Sequence, residues 1–469
     1  MTTCAVAATS FPFPYRATYP YGTIPAPDSG DADRIRTGFA TWMANDYVVC
    51  PDGTARILWT DPSRASATGT YTISRDIGSG MLVAVYRDDS LVNTRSIFDK
   101  LWAFYKKNRN GNGLMNWKIT GCSEGLGPNG AGSATDADLD AALALAMAYK
   151  QWGVDQYRTD AIDLLWKIWI SEINTTSNLP KASDAGSLPY APGRFPTGAM
   201  RLFKQVDPSH DWGTVADACL TLLRKSQNAS TGLVPDWVND QGVSMDSNGS
   251  GTGKFGSEAV HATWRILLDY LWFGTANSKA VLSRIDTWIK GKAGNDVDAI
   301  ASGYSTDGTT TASESTPVDL GALLMPGMTA SSSNQIETAG GWLSSGWTRL
   351  DGLPSSDETS RTWKILYDLT LSGTFQNYWG TVNADIGGTT GTHSAARPDS
   401  WRVSRSGAEI VVRIGGRGSA ELLDSRGRIR SSVRGEGTLR LRRPEERGVY
   451  FAVVRSEGIR GTLPVVVED

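Results

Sequence analysis

The chain has few of the residues that build metal and nucleophile chemistry. It holds only four cysteines and three histidines in 469 residues. Cys4, Cys50, Cys122 and Cys219 lie too far apart for the paired spacing of zinc ligands, and with only His210, His261 and His393 to add, no metal site is expected. None of the three histidines lies near a Gly-x-Ser-x-Gly turn, which argues against Ser-His-Asp hydrolysis. There is no apolar run of eighteen residues, so no membrane-spanning helix is expected. A formal net charge of -3 gives no sign of a nucleic-acid partner, and no repeat of solenoid length is evident. Four cysteines could make two disulfides in three pairings, and the sequence does not choose among them. The start, Met1-Thr2-Thr3-Cys4-Ala5, lacks the basic and long apolar regions of a signal peptide. We read it as the mature part of an exported protein in preference to a cytosolic one.

What is present is helical periodicity. With 40% hydrophobic residues the chain can bury a large core and more than one domain. Apolar residues recur at helical intervals at Ile35, Phe39, Trp42 and Met43, at Ile97, Leu101 and Phe104, at Ile162, Leu165 and Ile168, and at Leu220, Leu223, Leu267 and Leu271. Further helices are expected near 278–290 and 358–371. Long Gly/Ser/Thr/Asn-rich loops, 120–134 and 242–256, suit the rim of a cleft. Near residue 397 lysine disappears, arginine becomes frequent and alternating strands appear, as in Ala408 to Arg413 and Gly448 to Val454. These mark a small β domain at 396–469 after a helical domain at 1–395. Its alternating arginines suit a solvated sheet face.

The segment Ala134-Thr135-Asp136-Ala137-Asp138-Leu139-Asp140 opens an Ala/Leu-rich helix with three carboxylates. Asp136 and Asp140 share a face, while Leu139, Leu143 and Met147 form a separate apolar stripe. From spacing alone the commoner reading is that Thr135 and Asp136 cap the helix and its dipole favours the other acids. An EF-hand reading fails because Ala141 replaces the required glycine and Met147 the closing glutamate.

Five segments, in order, resemble glycoside hydrolase family 8, the inverting endo-β-1,4-glycanases. They are Thr70 to Leu82, Asn112-Gly113-Leu114-Met115-Asn116-Trp117-Lys118, Ala134 to Asp140, Leu233-Val234-Pro235-Asp236-Trp237, and Ala259 to Tyr270 with Trp264-Arg265. The resemblance spans roughly residues 15–375. It implies an all-α (α/α)6 barrel with an open groove for a sugar chain, to which the composition adds the small C-terminal β-sandwich. It also implies that Asp136 holds and distorts a sugar and that Trp117, Trp237 and Arg265 help bind it; no cofactor is implied. The tail, Leu423-Asp424-Ser425-Arg426-Gly427-Arg428 and Arg447 to Arg455, looks like a C-terminal sorting domain of the type IX secretion route, which implies a secreted or surface-attached bacterial protein.

The active centre departs from the family. Inverting hydrolysis needs a carboxylic acid and a carboxylate base about 6.5–9.5 Å apart, with room for water. The family's acid falls on Arg75, and a guanidinium does not give up its proton near neutral pH. Glu258 takes the general-base position, one methylene longer than the family aspartate. Asp76 and Glu124, the latter in a Ser123-Glu124-Gly125 tripeptide like the family's own, are the candidate substitute acids. Ser79, Ala199, Met200 and Ser257 replace aromatic or tyrosine positions of the cleft, which weakens sugar stacking. The leading expectation is therefore a non-catalytic or very weakly active protein that binds a β-1,4-glucan or xylan, or serves an extracellular assembly. An active inverting endo-β-1,4-glucanase or xylanase with a relocated acid is the first alternative, and a structural surface protein the second.

Overall fold

The computed structural model describes residues 9–380 except 29, 61–68, 90–91, 187–188, 246–252, 302, 312–319 and 356, and residues 402–467 except 407–408, 424–428, 443, 445–447 and 457–458. The chain divides into two compact units, Met1–Ile386 and Gly387–Asp469. The domain boundary expected at 395/396, Cys4, and Asp424 to Arg428 of the tail motif lie outside the described residues.

The first unit holds twelve α-helices: α1 (Asp31–Asn45), α2 (Ser74–Tyr86), α3 (Thr94–Lys107), α4 (Thr135–Trp152), α5 (Asp155–Glu172), α6 (Thr197–Val206), α7 (Trp212–Ser226), α8 (Ala262–Phe273), α9 (Ala276–Lys292), α10 (Leu320–Leu324), α11 (Trp342–Asp351) and α12 (Glu358–Leu371). The even-numbered helices form a closed ring. Helix α2 packs on α4, α4 on α6, α6 on α8, α8 on α10, α10 on α12, and α12 returns to α2. Each has an odd-numbered outer partner: α1 on α12, α3 on α2, α5 on α4, α7 on α6, α9 on α8 and α11 on α10. Two concentric rings of six make an (α/α)6 barrel, as the resemblance implied.

Composition explains which helices go inside. Buried residues run all round α2, most of α4 and nearly all of α8, as expected of helices with no solvent face. Outer helices such as α3 carry an apolar stripe alone: Ile97, Phe98, Leu101, Phe104 and Tyr105 are buried while Lys106 and Lys107 close the exposed last turn. One expected core position is corrected: Ile162 on α5 is 37% exposed, and Leu164, Leu165 and Ile168 carry the packing. The stripe lies one turn-face away because α5 meets α4 along Ala161, Leu164, Leu165 and Ile168.

Close contact between α2 and α4 depends on Gly78, where an added Cβ would lie 2.6 Å from the Ala137 carbonyl oxygen. Gly78 stands three residues after Arg75, so the helix face that approaches α4 most closely also carries Arg75. Three short strands, β1 (Tyr71–Ile73), β2 (Lys118–Thr120) and β3 (Gly125–Leu126), form an antiparallel sheet that leads into α2. Cys50 and Cys122 form a disulfide there, and Cys219 is a buried free thiol on α7.

The second unit is antiparallel: β4 (Arg402–Ser406), β5 (Glu409–Leu423), β6 (Ile429–Arg442), β7 (Gly448–Ser456) and β8 (Ile459–Val467). Strand β5 pairs with β6 along its length, with β4 near its start and with β7 near its end, so all five strands belong to one hydrogen-bonded network. Ile410, Val412, Ala420, Leu422, Leu439 and Leu441 are buried on one face. Alternation puts the charged positions on the other.

Candidate active site

The start of α4 does not use its acids as caps. Its N-cap is Ala134, with no side-chain capping bond. The helix instead sends its carboxylates two ways, as a turn of about 100° per residue requires. Asp136 and Asp140 face α2 and α8. Asp138, between them, faces Tyr105 of α3, which donates a hydrogen bond to it, and Glu172 at the end of α5.

Arg75, in the first turn of α2, lies between the two carboxylates that catalysis would need free. Its Nε donates to Asp136 Oδ2 at 2.8 Å and its Nη2 to Glu258 Oε2 at 2.9 Å. A second guanidinium, Arg194, repeats the bridge: Nε donates to the same Glu258 oxygen at 3.0 Å, and Nη1 lies 3.7 Å from Asp136 Oδ1. Arg265 on α8 holds Asp140 through two bonds of 2.6 Å each and lies 3.9 Å from Asp136. Three guanidiniums thus face three carboxylates, which is how a charged cluster tolerates low solvent access.

The titration of the group follows from this arrangement. Burial acts to raise Asp136, but Arg75, Arg194 and Arg265 outweigh it and hold the carboxyl well below the ordinary range. Burial likewise opposes ionisation of Glu258, and Arg194 and Arg75 overcome it, bringing the carboxyl down to about 2. Burial works against the charge on Arg75, yet Asp136 and Glu258 leave it more firmly protonated than a free arginine. Beneath the cluster His261 stacks on Trp363 with ring centroids 3.7 Å apart. Burial, then Arg75 and Arg265, hold that imidazole neutral.

The backbone that presents Glu258 is fixed by Asp236. Its Oδ1 accepts from the N–H groups of Gly256, Glu258 and Ala259 at 2.9, 3.2 and 2.8 Å. From the other side the Pro192-Gly193-Arg194 turn presses against it: an added Cβ on Gly193 would fall 1.6 Å from the Glu258 carbonyl oxygen. Only glycine permits that approach.

Of the residues named from sequence, Arg75, Asp136 and Glu258 meet in one cluster, and Arg265 joins it through Asp136. Arg265 is corrected from a sugar contact to a support: it is 1% exposed and its guanidinium is committed to Asp140. Asp76 is 1% exposed, and burial pushes its carboxyl well above the ordinary range, while Arg75 lowers it; the other charges acting on it are Glu358, Asp46 and Asp357, away from Asp136 and Glu258. Glu124 is exposed on the turn between β2 and β3, where its charge acts on Arg56. Neither candidate substitute acid touches the cluster. Trp117 is half-buried, with the Lys118 ammonium 4.7 Å from its ring centre; Trp237 lies under Arg194, 5.0 Å from its ring centre. Ala199 and Met200, where the family carries tyrosines, are buried in α6, and the Ser79 hydroxyl donates back to the Arg75 carbonyl.

Arg194 and Asp236 were missed as functional residues. The signal for Arg194 was its Pro-Gly turn directly before Phe195. Asp236 stood in a recognised segment, but no local pattern links it to a turn twenty residues later.

Comparison with known proteins agrees with this geometry. The profile of glycosyl hydrolases family 8 matches residues 45–339. Endoglucanase 2 of Ruminiclostridium josui is 32% identical over 293 residues, 61% of this chain and 61% of that protein. The beta-glucanase of Niallia circulans is 26% identical over 398 residues, 80% of this chain and 93% of that protein. The chain thus spans about three fifths of the length of the Ruminiclostridium endoglucanases. Among solved structures, the apo beta-1,3-1,4-glucanase from Paenibacillus sp. X4 superposes with a TM-score of 0.70 at 24% identity, over 78% of this chain and 99% of that one, which shows a common fold. With the profile covering more than half its length, this chain belongs to glycosyl hydrolases family 8.

Proposed function

We propose that this chain is a glycan-binding family 8 protein that has given up, or nearly given up, hydrolysis. The observation that carries the reading is the Arg75 guanidinium bonded to both Asp136 and Glu258. General acid catalysis contributes about a hundred- to ten-thousand-fold, and arginine cannot supply it. Glu258, held near 2, is ionised at neutral pH but is a feeble proton acceptor, since a good base has its pKa near the working pH. A cluster of guanidiniums also disfavours an oxocarbenium-like transition state. The half-buried rings of Trp117 and Trp237 support retention of a β-1,4-glucan or xylan through stacking.

The second reading, an active inverting endo-glucanase or xylanase with a relocated acid, draws on the ionised Asp136 and Glu258 and on the similarity to an endoglucanase. The third, a structural surface protein, keeps the fold and drops the sugar. We also read the chain as exported, with its C-terminal unit a β-sandwich that serves type IX sorting; the Cys50–Cys122 disulfide supports an oxidising compartment.

The test is to incubate the purified protein with carboxymethylcellulose, β-glucan, xylan and chitosan and assay both reducing ends and retention. No release with retention by at least one polymer is expected. Turnover that survives Asp76→Ala and disappears in Glu124→Ala would replace the reading with a relocated acid. Neither binding nor cleavage would leave the structural role.

A further inference from the structure

The C-terminal sheet carries a cationic face that the cleft does not use. Residues 387–469 contain 15 arginines, no lysine and 10 acidic residues, a net +5. Since the whole chain is -3, the barrel unit carries -8. The positive charge is concentrated by strand alternation. On β6, Arg434, Arg440 and Arg442 are exposed, whereas Leu439 and Leu441 turn to the buried face.

The cross-strand register extends this row sideways. Glu436 stands opposite Arg417 of β5, which is 91% exposed; Thr438 stands opposite Arg413, and Arg413 opposite Arg402 of β4. Positions along such a face repeat about every 7 Å, and neighbouring strands lie about 5 Å apart. The acids on this part of the face are local partners: Glu409 lies 2.8 Å from Arg440, and Glu436 lies 3.5 Å from Arg417. Six arginine positions against these two acids leave a net excess of positive charge on a broad sheet surface.

Two features choose the partner. Exclusive use of arginine favours planar, two-pronged recognition of carboxylate or sulfate groups over mere charge. The described residues of the face include no aromatic ring, which single-stranded nucleic acid needs for base stacking. We propose that this face binds an acidic polysaccharide, whose repeated carboxylate or sulfate groups are taken by Arg417, Arg434, Arg440 and Arg442. The choice of a polysaccharide rests on the glycan-directed reading of the barrel. The site itself is separate from the Arg75 cluster.

The test uses the full chain and polygalacturonate, with neutral dextran as control, in titrations at low and high salt. Binding to polygalacturonate that weakens with salt, and none to dextran, is expected. The triple variant Arg434→Gln/Arg440→Gln/Arg442→Gln should bind at least about tenfold more weakly, because each substitution removes a charge-assisted hydrogen-bond donor. The corresponding triple lysine variant keeps the charge and should fall between the two, which separates recognition from misfolding. Wild-type affinity in the glutamine variant, or no binding at low salt, overturns the proposal. Binding to single-stranded DNA as tight as to polygalacturonate overturns the polysaccharide assignment. Trp117→Ala should leave polygalacturonate binding unchanged, so loss of neutral-glucan retention alone would count against the barrel reading and not against this surface.

Discussion

Replacing Arg75 with methionine keeps most of the side-chain volume and removes the charge that joins Asp136 to Glu258. Breaking a buried ion pair by deleting one partner costs about 3–5 kcal/mol. Arg194 remains within 3.7 Å of Asp136 and 3.0 Å of Glu258, so the low end, about 3 kcal/mol, is expected at pH 7. The pH dependence gives an independent check. Glu258 is lowered from 4.5 to about 2 on folding, so its contribution to stability is present above pH 4.5 and is lost as pH falls toward 2. That shift corresponds to about 3 kcal/mol, of which Arg75 supplies a part. The gap between the two proteins should therefore be widest at neutral pH and narrow on acidification. Urea unfolding followed by tryptophan fluorescence reports on the barrel, because 16 of the 17 tryptophans precede residue 387. An unchanged midpoint at pH 7, or a gap that stays constant down to pH 2, would refute the idea that Arg75 neutralises this pair.

Arg75→Glu should bring at most slow release of reducing ends, because Ser79, Ala199, Met200 and Ser257 leave the stacking surface incomplete; turnover typical of an efficient glycanase would show that those positions do not matter. Cys50→Ser/Cys122→Ser opens a link across 72 residues and should lower stability by about 4 kcal/mol in urea, as the loop-entropy relation gives; a loss below about 1 kcal/mol would mean the unfolded chain is already compact. Burial, against hydrogen bonds from Ser133, Asp138 and Thr135, pushes Glu172 up to about 7, and burial beside Glu172 raises Asp138 as well. Their stability contribution is complete below pH 4.5 and is lost as pH rises through neutrality. Glu172→Gln should flatten that part of the thermal-stability profile, and an unaltered slope between pH 5 and 8 would count against the pair.

Much of the barrel was legible because burial leaves a periodic trace. The runs through Ile97 and Leu101, and the expected helices near 278–290 and 358–371, match α3, α9 and α12. Ile162 misled because helical spacing identifies a face without saying which neighbour it meets. In the site, Arg75, Asp136 and Glu258 were readable by position, since each falls in a segment whose local pattern is strong. Capping at Thr135 and Asp136 looked reasonable from spacing, yet guanidiniums from three other segments claim the Asp136 carboxylate.

The sequence by itself determined the helical barrel, the arginine at the position of the acid and the change to strands near residue 397, because these depend on local residue type and period. Only the tertiary structure decided that Arg75 bonds Asp136 and Glu258 together, that Arg194 and Asp236 complete the arrangement, that Asp76 is buried and that Cys50 pairs with Cys122. Those facts are distances between segments up to 183 residues apart. They are set by how α2, α4 and α8 pack, and by the close approaches that Gly78 and Gly193 permit.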